Sequence, residues 1–382
     1  MTEALALALL TGARGIGFSK RERLIEAAGS AQNALEDPSA FAPLLTADEL
    51  HALRDAVRGM DSLCRTLERE RVTLVARGEA GYPPLLAQIA RPPRVLFVQG
   101  EANLADACPF SIVGTRQASE YGLRHAREIA RGLAAAGVCV VSGLALGIDG
   151  AAHLGALDAG GRTVAVLGGA LDQFYPADNR PLRERILKEG GSIVSEFPMG
   201  MRPTRYSFLQ RNRVIAGMSL GVLVAEAPLH SGALRTARDA LDENRELFAL
   251  PGSVDSALSK LPNQLIAEGA RVATCARDIL DAMVIDAPKR EQKTPKADRP
   301  STPEDAQVRP SGEEDAPMKR PLPPGLGEDE LSVLRALDAG EMDFDALCAA
   351  TGIAADDLGA LLTLMELDGH VIALAGLRYA RA

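Results

Sequence analysis

At 382 residues with 47% apolar content, the chain is long enough for two or three domains, each with a packed core. Its 51 acidic against 42 basic residues give a net charge of −9, which excludes a surface that attracts polyanions in bulk and confines any nucleic-acid contact to a local patch. Five scattered cysteines without a C-x-x-C, no cation before the short apolar run Ala4 to Leu10 and no run of membrane-spanning length predict a cytoplasmic protein with free thiols, no structural zinc, no secretory signal and no membrane span.

Residues 1 to about 75 read as all-helical, with helices around Leu24 to Ala28 and Asp48 to Arg71 forming a small bundle. The G-I-G at Gly15 to Gly17 sits between two helical patterns. It fits an ordinary helix–helix turn better than a turn that offers its amides to a DNA phosphate. Residues 76 to 110 bridge to the main domain, with proline-rich Tyr82 to Leu86 and Arg91 to Arg94 expected extended and Val95 to Val98 a strand.

From Ser111 onward the pattern is that of a parallel sheet covered on both faces. Ser111-Ile112-Val113 and Val138-Cys139-Val140-Val141 are too short for helices and too apolar for one-sided strands. Between them Leu123, Ala126, Ile129, Ala130 and Leu133 recur at helical spacing, with Gly137 at the stop position. Further strands at Thr163 to Leu167, Ile193 to Ser195, Leu220 to Ala225 and Leu247 to Leu250 alternate with helices around Leu182 to Lys188 and Thr236 to Arg245. The domain closes near Met283. Residues 285 to 326, rich in Pro, Lys, Glu and Asp, predict a disordered linker.

The last segment, 327–382, regains periodicity. Helices marked by Leu331, Leu334 and Leu337, by Phe344 to Ala349 and by Leu358 to Leu367 precede a hairpin at His370 to Tyr379, which fits a winged helix. From Gly325 onward 11 acidic residues face only Arg335, Arg378 and Arg381, a net of −8, so protein interaction is a better role for it than duplex reading.

In a doubly wound sheet ligands bind beyond the carboxyl ends of the strands. There the chain places Gly114-Thr115-Arg116 and Ser142-Gly143, small residues that admit a phosphate to backbone amides. A nicotinamide cofactor is disfavoured: the first turn lacks the G-x-G-x-x-G glycines, and Ser142 stands where a ribose-binding carboxylate belongs. The stretch Arg202 to Arg213 carries Arg202, Arg205, Arg211 and Arg213 with Tyr206, Phe208 and Asn212, and no carboxylate occurs between Glu196 and Glu226. Arginines neutralise phosphates while aromatic faces stack unpaired bases, which is the combination a single-strand binder needs. Ser231, Gly232 and Thr236 begin the next helix; they fit another phosphate contact or simple capping by Ser231 equally well. Asp149 and His153, four apart on a helix, could form a base, but a core histidine tied to a nearby carboxylate fits better. No G-x-S-x-G, Walker A or metal-ligand cluster is present, so no catalytic residue, metal or cofactor is assigned.

Taken together these motifs resemble the DNA-processing protein A family of bacterial natural transformation. The resemblance rests on Gly114-Thr115-Arg116 with Ala118-Ser119-x-Tyr121-Gly122, Ser142-Gly143-Leu144-Ala145-x-Gly147-Ile148-Asp149, Ala152-His153, Tyr175-Pro176-x-x-Asn179, Ser195-Glu196, Arg211-Asn212-Arg213, Ser231-Gly232-x-Leu234-x-Thr236-Ala237 and Pro251-Gly252, over roughly residues 80 to 275. It implies an N-terminal sterile-alpha-motif-like helical domain (1–75), an extended Rossmann-like α/β domain (76–284) and a C-terminal winged helix (327–382). It further implies a non-enzymatic single-stranded DNA-binding protein that protects incoming DNA, displaces single-strand-binding protein, loads the RecA recombinase and dimerises through the Rossmann domain. The family's DNA pocket carries over to Arg116, Phe208, Arg211, Asn212 and Arg213. Two positions depart from the family pattern: Leu209 stands where proline is usual, and Leu261 where glycine is usual. The rival reading is a Rossmann enzyme similar to nucleotide phosphoribohydrolases, whose P-G-G-x-G-T-x-x-E motif is met only by Gly168-Gly169, without the proline, the G-T or the glutamate.

Overall fold

The computed structural model describes residues 1–105, 108–283, 328–338, 340–353, 355–367, 370–374 and 378–381. They fall into two compact units, Met1–Ala287 and Pro288–Ala382. The expected linker, 285–326, lies outside the described residues.

The first unit opens with five helices, α1 (Glu3–Gly12), α2 (Phe18–Ala28), α3 (Ala31–Glu36), α4 (Ala47–Arg58) and α5 (Met60–Arg69). The single helix expected from Asp48 to Arg71 is interrupted at Gly59, which serves as C-cap of α4 and N-cap of α5. α4 begins in a capping box, with the Glu49 carboxylate accepting from the Thr46 amide at 2.7 Å and from Lys20 Nζ of α2 at 2.6 Å. Gly15 to Gly17 form the turn between α1 and α2, with Ile16 buried in the core.

The alternating part follows as β1 (Thr73–Ala76), β2 (Val95–Gly100), β3 (Cys108–Val113), α6 (Glu120–Ala135), β4 (Val138–Ser142), α7 (Ile148–Asp158), β5 (Thr163–Val166), α8 (Arg180–Lys188) and β6 (Ser192–Ser195). It continues with α9 (Arg205–Gly217), β7 (Gly221–Val224), α10 (Gly232–Asp242), β8 (Glu246–Ala249), α11 (Lys260–Ala267), β9 (Arg271–Val272) and α12 (Ala276–Ala282). The expected extended bridge is instead a run of turns with a short 3-10 helix, Leu86–Gln88. Tyr82 is buried there and its hydroxyl donates to the Pro93 carbonyl at 2.7 Å, so a side-chain bond closes the bridge on itself.

Nine strands form one sheet in the order β1-β2-β6-β5-β4-β3-β7-β8-β9. β1–β2 and β2–β6 pair antiparallel, and all other pairs are parallel. β3 through β7 are wholly buried beyond the first turn of β3, as continuous apolar runs in a two-sided sheet should be. The expected boundary at residue 75 falls inside β1, and Leu7 and Leu10 of α1 share one core with Phe97, Leu167 and Ile193 of the sheet region. On the other side Phe110 and Phe248 meet edge-on at 5.6 Å between ring centroids. Chain direction along the sheet reverses between β3 and β7, the neighbours from which successive strands depart in opposite directions. That is the switch point where such a sheet opens a crevice.

The second unit contains α13 (Glu328–Leu337), β10 (Met342–Asp343), α14 (Phe344–Thr351), α15 (Ala355–Leu367), β11 (Val371–Leu374) and β12 (Arg378–Arg381). The strands order as β10-β12-β11, all antiparallel, and Val333, Leu334, Leu347, Leu358 and Leu362 form the core. Three helices with this small sheet are a winged helix.

Candidate nucleic-acid interface

The crevice is built from the turns that leave β3, β4, β5 and β7, roofed by α9. At the switch point the Thr115 amide donates to the Glu226 carbonyl at 2.6 Å, tying the turn after β3 to the end of β7. The Glu226 carboxylate then accepts from the Ser119 amide at 2.9 Å and from the Ser119 hydroxyl at 2.6 Å. The turn Gly114-Thr115-Arg116 is therefore held from both ends. Arg116 is exposed, and its guanidinium lies over the Phe208 ring, 5.0 Å from the centroid. It makes no ion pair among the described residues.

The 202–213 patch starts as an extended approach and becomes α9. Thr204 caps it: its hydroxyl accepts from the Ser207 amide at 3.1 Å, and the Ser207 hydroxyl accepts from the Thr204 amide at 2.8 Å. Ser207 also donates to the Gly168 carbonyl, which anchors the helix start on the end of β5. The helix has two faces with different fates. Arg202, Arg205 and Tyr206 are exposed, whereas Arg211 and Asn212 are 5% and 7% exposed.

Arg211 is therefore not the phosphate fork its sequence context suggests. Its Nη1 donates to the carbonyls of Gly143 at 2.9 Å and Val166 at 2.5 Å, so it caps the ends of β4 and β5. Burial lowers its pKa to about 10 against the opposing pull of Asp149. Asn212 donates to the Gly232 carbonyl at 3.1 Å, joining α9 to the start of α10. Arg213 is bonded to the buried Glu196 carboxylate and to the Arg91 carbonyl. Burial raises the Glu196 pKa, and Arg213 opposes that shift.

Other expected contacts are also inward. Ser142 is fully buried, and its hydroxyl donates to the Ile112 carbonyl at 2.6 Å. Gly143 lies so close beneath Arg211 that a Cβ there would overlap the guanidinium. Thr236 is 2% exposed and turned to its own helix at the Gly232 carbonyl. The capping by Ser231 does not occur: α10 has no side-chain cap bond, and Ser231 Oγ is buried without a partner. Gly232 is exposed at the helix start.

The 143–147 loop rests on Asp149, whose carboxylate accepts from the amides of Gly143 at 3.2 Å and Ala145 at 3.4 Å. Asn179 adds bonds to the Leu144 and Ala145 carbonyls at 2.9 Å each. These bonds hold Leu144 at φ 53°, a left-handed conformation that costs a non-glycine residue about 1–2 kcal/mol. His153 is tied to a hydroxyl, not to a carboxylate: its Nδ1 lies 2.7 Å from Thr163 Oγ1, which itself donates to the Val140 carbonyl. The hydroxyl proton being spent, Nδ1 carries the ring proton and Nε2 is bare, buried and without a partner. Burial drops the His153 pKa to about 3, with Arg211 pushing the same way, so the ring is neutral. Asp149 and His153 thus serve separate structural bonds.

Three residues of this site were absent from the sequence-based assignment. Tyr175 is 55% exposed with its ring 6.1 Å from that of Phe208, centroid to centroid. Asn179 and Glu226 hold the two turns. Tyr175 and Asn179 stood in the motif Tyr175-Pro176-x-x-Asn179 without a site role, and Glu226 was marked by being the first carboxylate after the long acid-free stretch, just past a strand end. Among the described residues no three His, Cys, Asp or Glu side chains gather as metal ligands, and no helix is long and apolar enough to cross a membrane.

A Rossmann-like parallel sheet with a switch-point crevice, accompanied by a winged helix, defines a class of two-module α/β protein. Residues 73–284 match the family model of DNA recombination-mediator protein A, and residues 316–376 match that of the DprA winged helix domain. The chain belongs to the DNA recombination-mediator protein A family. It is 44% identical over 220 residues to Protein Smf of Escherichia coli, covering 58% of this chain and 59% of that relative's length. It is 40% identical over 311 residues to Protein Smf of Synechocystis, covering 78% of each. The crystal structure of DNA processing protein A from Streptococcus pneumoniae superposes with a TM-score of 0.63 at 32% identity, over 74% of this chain and 98% of that one. The DNA processing protein A of Helicobacter pylori, described for its single-stranded DNA binding mode, superposes with a TM-score of 0.51 at 29% identity, over 57% of this chain and 99% of that one.

Proposed function

We propose that this chain is a single-stranded DNA-binding protein whose crevice holds the strand by its phosphates. On this reading it acts in DNA processing during transformation, protecting incoming DNA and loading the RecA recombinase in place of single-strand-binding protein, as a homodimer and without turnover. The observation that carries the reading is Arg116: an exposed guanidinium with no carboxylate partner among the described residues, on a turn fixed at the switch point, beside the aromatic pair Phe208 and Tyr175. Arg202 and Arg205 extend positive charge along the approach to α9. Phe208, half-buried under Arg116, carries the guanidinium on its ring; a base reaches that ring face only by displacing Arg116.

The test is log affinity against log salt for labelled single strands and for duplex. Arg116→Ala is expected to weaken single-strand binding for all sequences alike and to reduce the salt slope by about 0.7, the increment for one phosphate contact. Arg116→Lys should recover only part of the affinity, because the charge returns without the fork. Phe208→Ala should cost about 1–3 kcal/mol if a base stacks there, with the slope unchanged. An Arg116→Ala protein that stays folded and shifts neither affinity nor slope would show that the strand binds elsewhere. The same preparations incubated with AMP should release neither base nor ribose phosphate.

A further inference from the structure

A second concave surface lies on the face formed by α6, α7 and α8. It is a trough of about 880 Å³ whose floor runs from Gly147, the N-cap of α7, along Gly150, Ala151 and Leu154 of that helix. Those residues are spaced three, four and seven apart, so they fall on one side of the helix; Gly150 and Ala151 are small enough to let another backbone approach, and Leu154 adds an apolar side chain. The walls are α6, with Leu123 exposed, and α8, with Pro181 and Leu182. Over about 10 Å of α7 the trough accommodates two turns of a helix.

Its rim carries Arg124, Arg127, Arg131 and Arg185 together with Glu128, Asp158 and Asp178, four cations against three carboxylates, and Glu128 stands on α6 between Arg124 and Arg131. Asp158 already satisfies two of them, at 2.6 Å from Arg127 and 3.4 Å from Arg185. Arg124 and Arg131 are exposed and have no ion pair among the described residues. They stand seven residues apart on α6, two turns along one wall, in a protein whose net charge is −9. None of the trough's lining residues is aromatic, so unpaired bases have nothing to stack on, while the floor offers apolar contact that a phosphate backbone does not use.

We propose that this trough docks an acidic amphipathic helix of a partner protein, its apolar stripe laid on α7 and two carboxylates seven residues apart facing Arg124 and Arg131. The floor supplies the apolar contact and the two arginines supply register and orientation.

The probe is a fluorescein-labelled, end-blocked peptide of Leu, Ala and Glu, with leucines along one helical stripe and flanking glutamates seven apart. A second peptide replaces those glutamates with lysine. Anisotropy with the full chain should give saturable binding of the acidic peptide that weakens with salt, and binding of the lysine peptide weaker by about tenfold. The double variant Arg124→Glu/Arg131→Glu should reverse this preference, a charge swap that a misfolded protein cannot produce. Gly150→Met, where a Cβ would meet nothing nearer than the Ala145 carbonyl at 3.5 Å, should fill the floor and abolish both. Single-strand affinity should be unchanged in both variants. Absence of saturable acidic-peptide binding overturns the proposal, as does indifference to the charge swap. Loss of single-strand affinity in the double variant would overturn it in favour of a nucleic-acid track. A change in sedimentation with Gly150→Met would overturn it in favour of a second copy of this chain.

Discussion

The turn after β3 and the inner face of α9 border the same crevice, and both offer arginine, yet the two regions use it in opposite ways. Arg116 sits on a turn whose Thr115 amide donates to the Glu226 carbonyl and whose Thr115 carbonyl accepts from the Ile148 amide, so its guanidinium is left to face outward. Arg211 sits where β4 and β5 end, and the carbonyls of Gly143 and Val166 would be buried without donors if it were elsewhere. Whether an arginine belongs to the ligand or to the fold is decided by the backbone groups around it. Unsatisfied carbonyls take the guanidinium first, because leaving them bare costs more than one surface contact returns.

That contrast is most easily broken by stability measurements. Arg211→Ala removes a buried cation from beside Asp149 and strands two carbonyls, so denaturant unfolding should show a loss of about 3–5 kcal/mol. Arg116→Ala should stay within about 0.5 kcal/mol of the parent. Similar losses for both would mean that Arg116 is structural as well.

A second effect belongs to the inner side alone. His153 titrates near pH 3 in the folded chain and near 6.5 when unfolded, so below pH 6.5 the unfolded chain takes up a proton the folded one refuses. Stability contributed by keeping the ring neutral is present above pH 6.5 and is lost as pH falls toward 3. At pH 4.5 the loss should be about 2–3 kcal/mol. His153→Asn, which keeps a donor toward Thr163, should flatten the stability profile over that interval. A parent profile with no such slope would place the ring in contact with water.

The smallest expected effect sharpens the boundary between the regions. Arg213 already gives its charge to Glu196. Arg213→Ala should therefore leave the salt slope of single-strand binding nearly unchanged, well short of the decrement of about 0.7 expected at Arg116. A full decrement would move Arg213 to the ligand side.

These differences also explain what could be read from the residues in order. The parallel strands were legible because burial on both faces demands unbroken apolar runs, as in Val138 to Val141 and Leu220 to Ala225. The winged helix was legible from its leucine spacing. The antiparallel edge β1-β2-β6 was not, because pairing between residues 96 apart, Val98 with Val194, leaves no local trace. In the site, the crevice and Arg116 follow from strand ends, which the pattern locates. The inward turn of Arg211, Asn212 and Ser142 does not, since it depends on which carbonyls the strand register leaves open. The helical state of 205–217 was likewise hidden, because apolar residues surround its lower half and cations its upper half, which blurs the periodicity.

Glu226 has one further consequence. By fastening the Thr115 amide through its carbonyl and Ser119 through its carboxylate, it fixes the turn before any ligand arrives. The same carboxylate fills the space a side chain would need at Gly122, so the start of α6 is set with it. A rigid receptor surrenders little conformational entropy on association, and the cost of ordering then falls almost wholly on the flexible strand. Calorimetry should accordingly register an entropic penalty that grows with the number of nucleotides immobilised and scarcely depends on the protein.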